Sequence, residues 1–100
     1  MIHYLYILYS EKYDKFYIGE TNEYKRRLKE HNNSYRSNYS SKYRPWTLVA
    51  LFEIENRSIA RGVESFIKNQ KSKDFIKKIV SSDILSGKLS QLVRVPILRD

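Results

Sequence analysis

Residues 3–19 read HYLYILYSEKYDKFYIG, and they decide the fold. His3 to Tyr9 is continuously apolar and rich in aromatic and β-branched side chains, which suits a buried strand. Ser10 to Lys15 is polar and turn-like, and Phe16-Tyr17-Ile18-Gly19 is a second short β run, close enough to pair with the first as a hairpin. Tyr6 and Tyr17 each alternate with apolar neighbours, so both can face one side of that sheet.

Outward from the hairpin, Asn22 is a candidate N-cap with Glu23 in the first turn, which predicts a helix to about Asn32 with a thin stripe of Tyr24, Leu28 and His31. Residues 33–44 are polar, a loop or a short helical excursion ended by Pro45-Trp46. Residues 46–54 (WTLVALFEI) read as a third strand. Asn56 or Ser58 can cap a second helix with the stripe Ile59, Val63, Phe66, Ile67, Gln70. Ser72 with Phe75, Ile76 and Ile79 predicts another. The order is β-β-α-β-α-α: an α+β domain with a three-stranded sheet, built from residues 1–80. Residues 81–100 have no assigned element and are expected to pack on the same domain as an extension.

The composition limits the partners. A chain of 100 residues holds one core. Its 19 Lys+Arg against 11 Asp+Glu leave a net charge of +8, which favours polyanions. The absence of cysteine excludes disulfide scaffolds and Cys-ligated metal sites. His3 and His31 are too few for a His-rich centre. At 41% hydrophobic and 14% aromatic, the chain can build a core that a disordered basic tail cannot. No apolar run approaches the ~18–20 residues of a membrane span. The apolar N-terminus lacks the features of a signal peptide, so a cytoplasmic location is expected.

The charge is concentrated in two stretches. Residues 24–44 carry Lys25, Arg26, Arg27, Lys29, Arg36, Lys42 and Arg44 against Glu30 alone, interleaved with Tyr35, Tyr39 and Tyr43. Residues 57–78 carry Arg57, Arg61, Lys68, Lys71, Lys73, Lys77 and Lys78 against Glu64 and Asp74. Basic residues mixed with aromatics suit phosphate contact plus stacking on exposed bases. Phosphate-loop, dinucleotide, zincin and EF-hand motifs are absent, as is a serine nucleophile elbow. Acids are too scattered for a two-metal nuclease. Chemistry on phosphate here must use few carboxylates.

Five segments in order, YLYILYS, KFYIGETN, KRRLKEHN, KYRPWTLV and ARGVESFIK, resemble the GIY-YIG endonuclease family, especially its small stand-alone bacterial members. The likeness spans residues 4 to about 78. The YIG triplet is intact at Tyr17-Ile18-Gly19. The first triplet keeps only its tyrosine, Tyr6, with Tyr4 and Leu5 in the glycine and isoleucine places. Arg27 falls at the family's catalytic arginine, with His31 one turn on. Glu64 falls at its metal-binding glutamate, with Asn69 on the same helix.

The resemblance implies an antiparallel three-stranded sheet flanked by helices and cleavage of DNA phosphodiesters dependent on Mg²⁺ or Mn²⁺. A free tyrosine is only about 0.1% ionised at neutral pH, so it serves as a base only where nearby cations lower its pKa. Tyr17 (or Tyr6) is then expected to deprotonate the attacking water, Arg27 to stabilise charge on the phosphate, Glu64 to hold one hydrated metal ion, and His31 to assist the base or donate to phosphate. Lys25, Arg26, Arg36, Tyr39, Lys42, Tyr43, Arg44, Lys68, Asn69 and Lys71 are the expected DNA contacts. The resemblance implies a DNA substrate, with branched or damaged DNA, as in repair, among the expected forms, and the protein is expected to be a monomer or homodimer. Two other readings stay open: a non-catalytic nucleic-acid-binding module with the same fold, and a basic adaptor for an acidic protein.

Overall fold

The computed structural model describes residues 2–33, 39–81 and 85–97. Its elements are β1 (His3–Ser10), β2 (Lys15–Thr21), α1 (Tyr24–Asn33), the single turn α2 (Tyr39–Lys42), β3 (Thr47–Ile54), α3 (Arg57–Asn69), α4 (Lys73–Ser81), a 3₁₀ turn at Gly87–Leu89, and β4 (Val93–Arg94). The fold is α+β, and its antiparallel sheet has four strands rather than three, ordered β2-β1-β3-β4. The additional strand is only two residues long and carries no alternating pattern of its own. It forms because Phe52 and Glu53 offer it an open edge of β3.

β1 is central, which explains its unbroken apolar run: it is paired on both edges and covered on both faces. The β1–β3 register shifts between Ile7 and Leu8, which pair with Ala50 and Leu48, so Val49 is bulged out. On one face Leu5, Ile7, Ile18, Ala50, Phe52 and Ile54 pack against Ala60, Val63 and Ile67 of α3 and Ile79 of α4. Leu89 and Leu92 from the C-terminal segment complete that layer. On the other face Tyr6, Leu8, Leu51 and Trp46 are buried beneath Tyr24 and Leu28 of α1.

Side chains fix the helix ends. Thr21 Oγ1 accepts from the Glu23 N–H (3.0 Å) ahead of α1, which begins one residue later than predicted. Asn56 Oδ1 accepts from the Ile59 N–H (2.9 Å) and caps α3, and Ser72 Oγ accepts from the Phe75 N–H (3.1 Å) at α4. Two arginines close the opposite ends. Arg44 donates to the carbonyls of Glu30 and His31 at the end of α1. Arg94 donates to those of Ile79 (2.7 Å) and Val80 (3.2 Å) at the end of α4.

Candidate active site

The second face of the sheet gathers the chemistry. Tyr6 and Tyr17 project from neighbouring strands and stack with ring centroids 6.3 Å apart at 20°. Tyr6 is 2% exposed. Its ring crosses β2 over Gly19, its cross-strand partner, where a Cβ would stand 2.3 Å from the ring. Only glycine leaves that passage open. Beyond it the Tyr6 hydroxyl meets Nε2 of His31 at 3.0 Å. His31 is buried and also lies 4.4 Å, centroid to centroid, from the half-buried Tyr17.

Arg27, one turn before His31 on α1, lies close enough for its positive charge to act on the Tyr6 hydroxyl. Its guanidinium also pairs with Glu30 at 3.2 Å. Arginine can only donate. A neutral His31 can accept the Tyr6 proton at Nε2. The electrostatics agree: burial, then the positive charge of Arg27, pushes the His31 pKa down to about 4, so the imidazole is uncharged at neutral pH. Burial and the neighbouring Tyr17 push Tyr6 up to about 12, outweighing Arg27. A nearby cation therefore does not make Tyr6 a ready base.

Glu64 arrives from α3, which packs chiefly on β2. Because β2 is an edge strand, α3 side chains reach round it: the charge of Glu64 is felt by Tyr6, and Lys68 Nζ lies 6.0 Å from the centre of the Tyr17 ring. Glu64 pairs with Lys68 at 3.3 Å, its side chain 21% exposed. Among the described residues no group of three or more His, Asp or Glu side chains gathers into a cage. A single accessible carboxylate fits Mg²⁺, which keeps most of its waters and takes one or two carboxylates plus a substrate phosphate.

An open groove of about 720 Å³ runs along the β2 edge, lined by Phe16, Tyr17, Ile18, Ile67, Ser72, Ile76, Tyr39 and four lysines, Lys15, Lys68, Lys71 and Lys73. Lys15 and Lys73 were not among the sequence-derived contacts. Only the strand pairing and the α3–α4 junction bring them beside Tyr17. Trp46 is a further omission. Its indole donates to the Ser40 carbonyl (2.7 Å), Asn32 bonds both its backbone groups, and its ring lies 6.0 Å from that of Tyr17. It is the floor that holds α2 against Tyr17.

The remaining sequence-derived positions are spread more widely. Lys25 and Arg26 are exposed on α1, and Arg26 pairs with Glu30 at 3.1 Å. Tyr39, Lys42 and Tyr43 belong to α2 and its exit. Arg44 turns to the end of α1. Lys68 and Lys71 line the groove, and Asn69 is exposed at the end of α3. Arg36 lies outside the described residues.

Comparison with known proteins bears on the fold and the family. A UPF0213 protein from Bacillus halodurans, solved by solution NMR, is similar in structure with a TM-score of 0.51 and 28% identity, over 81% of this chain and 84% of that one. Among curated proteins none matches. The sequence profile of the GIY-YIG catalytic domain matches residues 2–79. A chain matched over that length, with Tyr6 and Tyr17-Ile18-Gly19 paired across one sheet, belongs to the GIY-YIG family of nucleases.

Proposed function

We propose that the protein is a DNA endonuclease that hydrolyses phosphodiester bonds with Tyr17, Arg27 and His31 around a single metal held by Glu64. The observation that carries the reading is the connected set Arg27–Tyr6–His31–Tyr17, with Glu64 acting on it from the opposite helix. A surface that only bound phosphate would need the lysines of the groove. It would not need a buried tyrosine locked between a guanidinium and a neutral imidazole.

The roles divide by exposure. Tyr6 is sealed and stays protonated, so it orients Arg27 and His31 rather than meeting substrate. Tyr17 borders the groove and is the tyrosine that can reach the attacking water, directly or through a second water. Arg27 keeps one side on Glu30 and offers the rest of its planar donor fork to a phosphoryl group that gains charge in the transition state. His31, uncharged, fixes the Tyr6 proton and supports Tyr17 from below. Glu64 would hold Mg²⁺ or Mn²⁺, which when bound supplies charge neutralisation at the phosphate and leaving oxygen.

The test is nicking of supercoiled and branched DNA with Mg²⁺ or Mn²⁺ and with EDTA. Cleavage that needs metal and falls at least about a hundredfold in Glu64→Gln and Arg27→Ala supports the reading. Wild-type cutting by both variants would reject these site assignments. Salt-sensitive binding without any cleavage would leave a nucleic-acid-binding module.

A further inference from the structure

A line of four tyrosine rings leads away from the site. Tyr17 lies 6.3 Å from Tyr39, Tyr39 lies 4.9 Å from Tyr43, and Tyr43 lies 5.5 Å from Tyr13, centroid to centroid. The rings come from three separate places: β2, the α2 region and the β1–β2 turn. Lysines border the line throughout. Lys68 Nζ lies 6.0 Å from the Tyr17 ring, Lys15 Nζ 5.6 Å from that of Tyr43, and Lys12 Nζ 5.4 Å from that of Tyr13. Tyr39 and Tyr13 stay 49% and 42% exposed. Rings whose whole task was to fasten α2 to the hairpin would bury those faces, because apolar area left in water stabilises nothing.

We propose that this ladder is a docking surface for an unpaired stretch of DNA, which enters the groove so that a splayed base stacks on Tyr39 and its flanking phosphates meet Lys68 and Lys71. The proposal rests on the nuclease reading and names its substrate class: single-stranded DNA, or the single-stranded arm of a branched molecule. The chemistry favours this occupant for three reasons. Aromatic faces bind base faces, which a duplex keeps covered by neighbouring base pairs. Four lysines and no acid line the groove; Glu64 and Asp14 pair with Lys68 and Lys73, which leaves Lys15 and Lys71 as excess positive charge to match a phosphate backbone and repel a basic partner. Its volume of about 720 Å³ lies within the range of pockets that enclose a small organic group.

Binding is measured by fluorescence anisotropy in EDTA, so the outcome is independent of cleavage. The probes are a labelled thymidine oligonucleotide about twenty nucleotides long and a hairpin duplex with the same number of phosphates. Tyr39→Leu is expected to weaken single-strand binding about fivefold or more and to change duplex binding less than about twofold, whereas Tyr39→Phe keeps the ring and the affinity. Tyr13→Leu, in the exposed turn at the outer end of the ladder, is an independent arm expected to move in the same direction. Equal losses on both probes, no loss on either, or a Phe variant as weak as the Leu variant would overturn the proposal. Failure of the nuclease reading would appear separately, as no cleavage with metal whatever the anisotropy.

Discussion

The Tyr6 ring passes over Gly19 so closely that a Cβ on Gly19 would stand 2.3 Å from both Cζ and Oη of the tyrosine. The two residues are cross-strand partners, and the missing side chain is what lets a ring rooted on the central strand extend across the edge strand to His31 and Arg27. The glycine acts through the space it leaves, since no left-handed backbone conformation requires it there.

Gly19→Ala should therefore cost about 1–3 kcal/mol, the usual range for overpacking a closed site, and should shift Tyr6 off His31. In a Tyr6→Ala background the same substitution should cost much less, because the clashing ring is gone. Chemical denaturation of the four proteins of this cycle measures the difference. Equal costs in the two backgrounds would reject the steric account.

His31 gives the fold a pH dependence of known sign. In the unfolded chain it takes a proton near pH 6.5, whereas burial and Arg27 hold it unprotonated in the folded chain down to about 4. Between those values the unfolded state binds more protons, so stability is complete above pH 6.5 and falls as the pH drops, by up to about 1.4 kcal/mol per unit. His31→Gln has no such proton to take up. The difference in denaturation midpoint between wild type and His31→Gln should shrink from pH 7 to pH 4. A constant difference would show that His31 titrates normally in the fold.

The hairpin, α1, β3 and the two capped helices α3 and α4 are legible in the sequence because each rests on local signals: an apolar run, a cap, a helical stripe. The pairing of Tyr6 with Tyr17 follows from strand alternation once the hairpin is drawn. β4 is not legible, because a two-residue strand is created by the open edge it meets and not by its own residues. Nor is the isolation of Tyr6. Its burial and its bond to His31 depend on how α1 lies over the sheet, so a tyrosine whose pKa a nearby cation is expected to lower is desolvated more than it is polarised in space. The lysines of the groove show the same limit: Lys15 and Lys73 are 58 positions apart, and their segments meet through the packing of Phe16 and Ile76 on one core, with Asp14 bridging to Lys73 (2.8 Å) at the surface.

Arg94 carries the C-terminal segment onto the domain. It bonds the last carbonyls of α4, and its guanidinium lies 4.8 Å from the centre of the Phe52 ring. Arg94→Ala should cost about 1–2 kcal/mol by leaving those carbonyls poorly satisfied and removing the cation from the ring. For a domain of this size that is a fall in Tm of roughly 4–16 °C. An unchanged melting curve would mean that β4 and the end of α4 are held without it.

Salt dependence distinguishes a groove lysine from a lysine that only adds to net charge. Lys71 lines the groove beside Tyr17, whereas Lys78 lines a separate cavity with Phe66, Phe75 and Leu89 on the other side of α4. If backbone phosphates run through the groove, Lys71→Ala removes one ion release and should reduce the slope of log K against log salt by about 0.7 for a single strand. Lys78→Ala lowers the net charge equally and should leave the slope unchanged, since the change lies outside the contact and only contact charges release counterions. Titrations at several salt concentrations in EDTA measure both slopes. Equal changes would mean that the chain attracts DNA by its overall charge, and that the groove beside Tyr17 is not where the strand lies.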